Sequence, residues 1–380
     1  MIPYGKQWID EDDINEVVRV LTSDYLTQGP EIIEFEKNIC DYTGAKYCVA
    51  VSNGTSALQL AVASLSIEKG KEGITSANTF VASANCLIYN RLTPIFADID
   101  NKTYNIDIKD IKEKINERTK VIIPVDFAGH PADMKDIYEL AKMNKLYIIE
   151  DASHAIGSKY EDGSFVGSCK YSDMTTFSFH PVKTITTGEG GAITTNNEEL
   201  YEKLKLLRTH GITREDKYMD INPGPWYYEM HELGFNFRLT ELQAALGINQ
   251  LRKMNFFVKR RREIVRKYNR SFKEVDMLTA PVEKDGIYSA FHLYVVLIDF
   301  KKIGKSRKQI MEELRDRHIG TQVHYIPVHI QPYYQKNFGY KLGDYPVAER
   351  YYEKALSIPL YPKMTDDDVD YVINKILEVL

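Results

Sequence analysis

The stretch FSFHPVKTITTGEGGAITT, residues 177–195, places Lys183 between two β-rich runs and just ahead of three closely spaced glycines. It is not a Walker A loop, in which the lysine follows the glycines, and it is not a GxGxxG loop. Lys183 instead leaves the end of a predicted strand and enters a glycine-rich turn. A lysine with little water around it loses its charge readily, and a neutral amine is a good nucleophile towards an aldehyde. Two interpretations follow for Lys183, a covalent anchor and an ordinary surface lysine.

Short β-rich runs alternate with helical patterns on both sides of this stretch, from residue 47 to about 195. The predicted helices lie at about 55–65, in IDIKDIKEKI and near 132–144. The predicted strands are YCVAV (47–51), TPIFADI (93–99), KVIIPVDF (120–127), LYIIED (146–151), TTFSF (175–179) and GAITT (191–195). This alternation predicts a mostly parallel α/β sheet covered by helices on both faces. In such sheets ligands bind at the carboxyl ends of the strands.

The rest of the chain has a different texture. It consists of a long helical pattern over about 240–270, strand-like FHLYVVLI (291–298), a helix near 306–317, GTQVHYIPV (320–328) and a closing helix near 366–379. These elements indicate a smaller α+β unit. We predict a large α/β domain with the N-terminal segment over residues 1–250 and a small C-terminal α+β domain over 251–380.

The composition narrows the function classes. A chain of 380 residues with 43% hydrophobic content can bury a sizeable core, and a net charge of −5 gives no basic field for nucleic acid or a membrane. The run Lys259–Arg262 lies in a helical pattern and is interpreted as a solvated face. Four cysteines fit neither a disulfide framework nor a CxxC metal site, so we predict no metal. We expect a cytoplasmic protein without a signal peptide or a membrane span.

SNGTSAL (52–58) follows YCVAV directly and opens a helix. Gly54 permits a tight turn, and Thr55 offers a hydroxyl and an N–H group at a helix N-terminus. That arrangement suits a phosphate monoester, because free N–H groups and the helix dipole converge there. Simple capping of the helix by Asn53 or Thr55 is the alternative.

EDASHA (150–155) places a carboxylate, Asp151, at the carboxyl end of a predicted strand. Asp151 could hold a cationic ring nitrogen of a ligand, or it could cap the following helix. His154 could support Asp151, or it could be a core histidine with satisfied hydrogen bonds.

A phosphate cup, an acid about a hundred residues later and a lysine some thirty residues beyond it follow the order used to bind pyridoxal 5′-phosphate. The acid keeps the pyridine nitrogen protonated, so that the ring accepts electrons from the bond that breaks. Lys183 then links covalently to the cofactor and carries the proton. An aromatic ring should stack on the pyridine, and NTFVASAN (78–85) offers Phe80 after a short strand.

With these residues in place, the chain resembles the DegT/DnrJ/EryC1/StrS family of sugar aminotransferases. The resemblance covers nearly the whole sequence, and the lysine motif is its most specific marker. The other motifs are LTQGPEIIEFE (26–36), SNGTSAL, NTFVASAN, EDASHAIGS and LGFNFRLTELQAALG (233–247). The resemblance implies the fold-type I architecture of aspartate aminotransferase, with pyridoxal 5′-phosphate as the cofactor.

The resemblance also implies roles for individual residues. Lys183 matches the Schiff-base lysine and Asp151 matches the partner of the pyridine nitrogen. The predicted cofactor-binding set is Gly54, Thr55, Phe80, Asp151, His154, Ser178, Lys183 and Asn236. Asn236 matches a residue that reaches the phosphate of the neighbouring subunit, which implies a homodimer with shared active sites. A lysine at position 183 also differs from the family's dehydratases, in which a histidine takes its place.

Three features resemble the branch of this family that acts in pseudaminic acid biosynthesis. They are His154 in place of glutamine, Asp126 in place of histidine, and the segment GTQVHYIPVHIQPYY (320–334). The resemblance implies transfer of an amino group from L-glutamate to C4 of a UDP-linked 4-keto-6-deoxy-L-hexose with a 2-acetamido group. The substrate residues it implies are Tyr4, Asp24, Tyr25, Leu26, Thr27, Gln322, Val323, His324 and Tyr325. Read from the residues alone, Tyr4 and Tyr25 are better explained by ordinary packing, and His324 is better explained as a core histidine.

Three rival functions remain open. The nearest is another nucleotide-sugar aminotransferase, acting on a D-configured UDP-4-keto sugar, a dTDP-ketosugar or GDP-4-keto-6-deoxymannose. A non-enzymatic regulator is more remote, because a regulator has no need of Lys183 together with Asp151. A nucleic-acid-binding function rests only on Lys259–Arg262 and ranks last, since the chain lacks a basic overall charge.

Overall fold

The computed structural model describes residues 1–380 of the chain. Its strands are β1 (Tyr47–Val51), β2 (Glu72–Ser76), β3 (Thr93–Ala97), β4 (Thr119–Ile123), β5 (Tyr147–Asp151), β6 (Met174–Ser178), β7 (Gly191–Thr195), β8 (Ile212–Thr213), β9 (Glu229–Met230), β10 (Leu278–Thr279), β11 (Tyr294–Ile298) and β12 (Ala355–Ile358). Six of the first seven strands coincide with predicted ones. The seventh, β2, is the short strand expected before Phe80. Its bounds were not predicted.

The helices connect these strands and cover them. They are α1 (Glu11–Leu21), α2 (Pro30–Thr43), α3 (Gly54–Ser64), α4 (Ala82–Tyr89), α5 (Ile108–Lys114), α6 (Met134–Asn144), α7 (Glu198–Arg208), α8 (Glu241–Arg252), α9 (Met254–Phe272), α10 (Phe300–Ile303), α11 (Arg307–Asp316), α12 (Pro332–Phe338), α13 (Pro346–Lys354) and α14 (Asp366–Val379). Three single-turn 3₁₀ helices add to them, at Phe127–Gly129, Asp216–Tyr218 and Val328–Ile330.

The main sheet has seven strands in the order β1-β7-β6-β5-β4-β2-β3. All neighbouring pairs are parallel except those that involve β7, which runs antiparallel to both β1 and β6. Apolar residues on both faces of the sheet are buried, in clusters formed with the flanking helices. The architecture is therefore the predicted mostly parallel sheet covered on both sides, which is the fold-type I arrangement.

The parallel strands bring their carboxyl ends to one edge of the sheet, and this places the predicted motifs together. Strand β5 ends at Asp151 and β6 ends at Ser178. Strand β1 leads directly into α3, whose N-cap residue Asn53 accepts a hydrogen bond from the N–H of Ser56 at 2.8 Å. Capping by Asn53 was the alternative reading of SNGTSAL, and the structure shows that it occurs.

A second, three-stranded antiparallel sheet has the order β10-β11-β12 and packs with α9, α11 and α14 around its own buried apolar cluster. The N-terminus reaches this part of the chain, because the N–H of Ile2 donates to the carbonyl of His318 at 2.8 Å and the N–H of Leu360 donates to the carbonyl of Tyr4 at 3.0 Å. The division into two domains near residue 250 stays a prediction.

The single helix predicted over 240–270 is wrong, because the chain breaks there into α8 and α9 at Lys253. The Lys253 ammonium forms ion pairs with Asp13 at 2.9 Å and with Asp10, at the start of α1. A tertiary contact with α1 thus holds the break, and nothing in the helical pattern of the sequence signals it. None of the helices is both long enough and apolar enough to cross a membrane.

Candidate active site

One cavity of about 630 Å³ opens at the carboxyl edge of the main sheet. It brings together most of the residues that the sequence singled out, although they come from distant parts of the chain. The predicted site residues that line it are Tyr4, Gly54, Thr55, Phe80, Asp151, His154, Ser178, Lys183, His324 and Tyr325. The cofactor motifs therefore meet in space in the manner that the sequence order indicates.

The N-terminus of α3 forms one end of this cavity, which we call the anion cup and define by Gly54, Thr55, Ser56 and Ser178. The N–H groups of Gly54 and Thr55 precede the first intrahelical hydrogen bond, so they stay available to a ligand. A Cβ atom on Gly54 would lie 2.8 Å from Cβ of Ser178, so glycine is needed for this close approach. Backbone donors, three hydroxyls and a helix dipole fit a phosphate group.

The carboxylate of Asp151 is buried and held by two serines. Oδ2 accepts a hydrogen bond from the hydroxyl of Ser83 at 2.6 Å, and Oδ1 accepts one from the hydroxyl of Ser153 at 2.6 Å. These two hydrogen bonds fix the position of the carboxylate, which lines the cavity and can accept a hydrogen bond from a ligand. Both serines belong to motifs quoted from the sequence, Ser83 one helical turn after Phe80 and Ser153 within EDASHA, but the sequence analysis did not assign them this role.

Lys183 lines the same cavity and is half-buried. Its loss of water lowers the pKa of the ammonium from 10.5 to about 8, and the negative charge of Asp151 opposes this shift only in part. A lysine with a pKa near 8 carries a usable fraction of neutral amine close to neutral pH. The structure thus favours the covalent anchor over the ordinary surface lysine.

Phe80 stands at the mouth of the cavity with 55% of its surface exposed. Large apolar side chains this exposed are common singly, but here the ring lies over a cavity that contains a fixed carboxylate and a lysine. A flat ligand between Phe80 and the sheet would cover that exposed face. This placement supports the predicted stacking role.

Three histidines and a tyrosine also line the cavity, His154, His292, His324 and Tyr325, and we call this set the histidine wall. The rings of His154 and His292 have centroids 4.4 Å apart, and those of His324 and Tyr325 are 4.9 Å apart. Nδ1 of His324 pairs with the Ser357 hydroxyl at 2.7 Å. His292 was not predicted as a site residue, because a histidine within the strand-like FHLYVVLI gives no local signal of a site.

Burial keeps the histidine wall uncharged. It lowers the pKa of His154 and of His292 well below the ordinary value, and it lowers the pKa of His324 to about 3, with the charge of Lys183 adding to each shift. Burial also raises the pKa of Tyr325, and Asp151 adds to that shift. The wall therefore offers neutral hydrogen-bonding groups, close enough to Lys183 and Asp151 for their charges to act on it.

Arg261 holds the backbone of His292, one residue of the histidine wall, in place. It is 1% exposed, and its Nη1 donates to the carbonyls of His292 at 3.1 Å and Leu360 at 2.8 Å. Burial lowers the pKa of its guanidinium to about 9. The interpretation of Lys259–Arg262 as a solvated face is thus wrong for Arg261, because backbone carbonyls from two distant segments replace its water.

The remaining predicted residues lie outside this cavity. Asp24–Thr27 are exposed in the connection between α1 and α2, and Asn236 is exposed ahead of α8. Gln322 exchanges two backbone hydrogen bonds with Ser357, at 3.1 and 2.8 Å, and Val323 follows it in the same segment. Within one chain the structure does not bring these residues to the ligand-binding space.

The exposed segment Asp24–Thr27 lies just before α2, and the carboxylate of Glu241 caps the start of that helix. This side chain is fully buried and accepts hydrogen bonds from the N–H groups of Gly29 at 2.9 Å and Glu31 at 2.7 Å. Its own N–H donates to the carbonyl of Leu26 at 3.1 Å. The segment around Leu26 is thus tied to the start of α8, although it does not line the cavity.

A second depression, of about 740 Å³, lies along α7 and the 212–232 segment. Two of its lysines form ion pairs: Lys205 with Glu202 at 3.0 Å and Glu215 at 3.6 Å, and Lys203 with Glu232 at 3.5 Å. None of the predicted site residues lines this depression, so the candidate active site is the smaller cavity.

The sequence profile of the DegT/DnrJ/EryC1/StrS aminotransferase family matches residues 7–377. The chain belongs to this family. The match spans both sheets, and Lys183, Asp151 and the anion cup line one cavity within the matched range. The chain is accordingly an aminotransferase.

Characterised relatives of this aminotransferase act in sugar metabolism. It is 42% identical over 380 residues to the spore coat polysaccharide biosynthesis protein SpsC of Bacillus subtilis, covering 100% of this chain and 97% of the relative. It is 38% identical over 384 residues to the UDP-4-amino-4,6-dideoxy-N-acetyl-beta-L-altrosamine transaminase of Campylobacter jejuni, covering 100% and 98%. GDP-perosamine synthase of Escherichia coli O157:H7 is 35% identical over 352 residues, covering 93% and 91%.

Solved structures agree with this placement. Helicobacter pylori PseC, an aminotransferase of pseudaminic acid biosynthesis, superposes with a TM-score of 0.92 at 36% identity, covering 100% of this chain and 98% of PseC. The PLP form of the putative sugar aminotransferase Spr1654 of Streptococcus pneumoniae superposes with a TM-score of 0.91 at 31% identity, covering 100% and 99%. A fold that holds this cofactor in Spr1654 therefore spans the whole chain.

Proposed function

We propose that this aminotransferase uses pyridoxal 5′-phosphate to move an amino group from L-glutamate to C4 of a UDP-linked 4-keto-6-deoxy-L-hexose with a 2-acetamido group. The product would be UDP-4-amino-4,6-dideoxy-N-acetyl-β-L-altrosamine, on the route to pseudaminic acid. One observation carries the chemistry: Lys183, Asp151 and the anion cup line a single cavity. The similarity to the Campylobacter transaminase and to PseC supports the choice of sugar.

The residues of the cavity fit this cofactor group by group. Pyridoxal 5′-phosphate, when bound, supplies an aldehyde that carries the amino group and a ring that accepts electrons. The anion cup would hold its phosphate, and the carboxylate of Asp151 would hold its protonated ring nitrogen. Phe80 and His154 would lie against the ring.

Lys183 carries the proton in both halves of the reaction. Because its pKa is about 8, part of its amine is neutral near pH 7 and can accept a proton from Cα of the amino donor. The same nitrogen can then return a proton to C4 of the sugar. An acid and base with a pKa near the working pH suits both directions of transfer.

We propose a homodimer with shared active sites. Asn236 and Asp24–Thr27 are exposed and lie outside the cavity of their own chain. On this surface they are available to complete the site of a second copy. Leu233, three residues before Asn236, is 84% exposed, which also favours a covered surface in the assembly. The four cysteines are unpaired, which supports a cytoplasmic setting.

Visible absorbance of the purified protein tests this proposal. We expect a yellow cofactor band that bleaches with L-glutamate and returns when the UDP-4-keto sugar is added. The dTDP- and GDP-linked keto sugars and the D-configured UDP-4-keto sugar serve as comparison acceptors, and Lys183→Ala serves as the control. Bleaching without recovery by the proposed sugar, but with recovery by a comparison sugar, would replace the substrate while keeping the aminotransferase. Absence of the band after addition of the cofactor would refute the proposed cofactor site.

A further inference from the structure

The two ring nitrogens of His154 have different partners, and together they fix where its hydrogen lies. Nδ1 is 3.3 Å from the backbone nitrogen of Ala128, and Nε2 is 3.1 Å from the hydroxyl of Tyr325. A backbone N–H can only donate, so Nδ1 must be the accepting nitrogen. A neutral imidazole carries one hydrogen, which then sits on Nε2 and points at Tyr325.

The neutral state of His154 follows from its surroundings. The ring is 5% exposed and packs against His292. Burial, together with the charge of Lys183 and with His324, lowers its pKa well below the ordinary value. A second hydrogen on Nδ1 would also face the N–H of Ala128, donor against donor. One tautomer of the neutral ring is therefore selected.

The N–H of Ala128 is aimed by a rigid backbone corner. Ala128 has a φ of +57°, in the left-handed region, and its carbonyl accepts the N–H of Leu293 at 3.3 Å. The next carbonyl, of Gly129, accepts the hydroxyls of Ser158 at 2.7 Å and Ser289 at 2.9 Å. Contacts from two distant segments thus hold the corner that sets the tautomer of His154.

The hydroxyl of Tyr325 receives the Nε2–H, and this decides what it can offer the cavity. An oxygen that accepts from His154 has its own hydrogen left to donate elsewhere. His154 is the only protein partner of this hydroxyl, and Tyr325 lines the cavity. Burial raises the pKa of Tyr325, so the hydroxyl keeps its hydrogen. The hydrogen is left to point into the cavity.

We propose that His154 is a positioning residue that acts through Tyr325: the Ala128 N–H fixes its Nε2–H tautomer, and the Tyr325 hydroxyl thereby becomes a hydrogen-bond donor aimed at an oxygen of the bound ligand. The inference deepens the proposed function and rests on it for the ligand, which is a keto sugar. The oxygen concerned is one near the reacting carbon of that sugar. A hydroxyl-rich sugar offers many acceptors, and a directional donor selects among their positions.

The tautomer is tested without any reaction, by ¹⁵N NMR of the protein labelled in histidine, with the His154→Gln spectrum used for assignment. We expect His154 to show a protonated Nε2 and an unprotonated Nδ1, without change between pH 6 and 8. A protonated Nδ1, or a cationic ring in that range, would overturn the proposal. This measurement stands whether or not the sugar has been identified correctly.

Two variants of similar size test the positioning role. His154→Gln keeps an acceptor for Ala128 and a donor for Tyr325 on one side chain, whereas His154→Met has no donor and adds no charge. In single-turnover transfer to the keto sugar we expect the glutamine variant to be at least about tenfold faster than the methionine variant, as one lost directional hydrogen bond implies. Equal rates would show that the direction of this hydrogen bond is unimportant, and the positioning role would fall.

Tyr325→Phe tests whether the Tyr325 hydroxyl donates a hydrogen bond to the bound sugar. We expect it to slow the sugar half-reaction about tenfold more than the glutamate half-reaction, which is followed separately by bleaching of the yellow band. An equal loss in both halves would assign the hydroxyl to something that the two halves share, and would overturn this part of the inference. Failure of the wild type to accept any keto sugar would instead refute the proposed function, with the NMR result deciding the tautomer.

Discussion

The anion cup and the histidine wall line one cavity, yet they are built differently. The anion cup, Asp151 and Lys183 come from the carboxyl ends of β1, β5 and β6 or from the residues just after them, and these three carboxyl ends share an edge of the sheet. The histidine wall is assembled from segments near residues 154, 292 and 324. The first side depends on local turns, and the second depends on long-range packing.

The two sides also differ in charge. The cofactor side carries a carboxylate held by two serine hydroxyls and a lysine with a pKa of about 8. The histidine wall is neutral, because burial lowers the pKa of its histidines and raises that of Tyr325. The difference indicates that bond breaking is assigned to the charged side and recognition of a hydroxyl-rich ligand to the neutral side.

Removal of Lys183 should have the largest effect and should abolish both halves of the reaction. We expect Lys183→Ala to lower the transamination rate by at least about 10⁴-fold, since it removes the proton carrier and the covalent anchor together. Stopped-flow absorbance with glutamate, and then with the keto sugar, measures each half. Lys259→Ala, an exposed lysine of α9, is the control. A variant at position 183 with a near-normal rate would contradict the assignment of the charged side.

Neutralising Asp151 should come next, again in both halves. Asp151→Asn keeps the size of the side chain but removes the charge opposite a ring nitrogen, and we expect a loss of about 10²–10³-fold. Single-turnover rates with each substrate measure it. Ser153→Ala, which removes only one donor to the carboxylate, provides the graded comparison and should cost about tenfold. A loss confined to the sugar half would break the division between the two sides.

The pH dependence of cofactor binding should report the protonation state of Lys183. Below its pKa of about 8 Lys183 is mostly the ammonium ion, so the rate at which cofactor-free protein captures added pyridoxal 5′-phosphate should rise with pH. We expect about a tenfold rise per unit well below pH 8 and a plateau above it, because only the neutral amine attacks. A rise that continues towards 10.5 would mean that Lys183 keeps an ordinary pKa.

A substitution of Tyr4, which packs against the histidine wall, should have the smallest effect. It should affect only the half-reaction with the keto sugar. Tyr4 packs on His324 with ring centroids 5.3 Å apart, and it lines the cavity. We expect Tyr4→Phe to raise KM for the keto sugar about two- to tenfold through one lost hydrogen bond. Steady-state kinetics at saturating glutamate measures this. An equal change in KM for glutamate would show that both substrates depend on the Tyr4 hydroxyl.

The elements that the sequence predicted well are those whose signal is contiguous. The runs YCVAV and GAITT coincide with β1 and β7, and the closing helix near 366–379 is α14. Each is set by its own β-branched or amphipathic pattern and by the turns around it. The break at Lys253 and the burial of Arg261 were missed because the partners of both side chains lie far away in sequence.

The residues of the cofactor side were available from the sequence because turn, strand end and helix cap are properties of a few neighbouring residues. His292 could not be found in this way, since its place in the cavity depends on Arg261 holding its carbonyl. The hydrogen-bond direction at His154 likewise depends on an N–H 26 residues away.

The sequence by itself therefore determined the chemistry of the protein: a sheet edge with a lysine, a carboxylate and a phosphate-sized cup. Only the tertiary structure decided the neutral wall, the direction of its hydrogen bonds and the exposure of Asn236. The reason is physical. Backbone turns are governed by local dihedral angles, whereas burial, which neutralises His154 and its neighbours, exists only after distant segments have packed together.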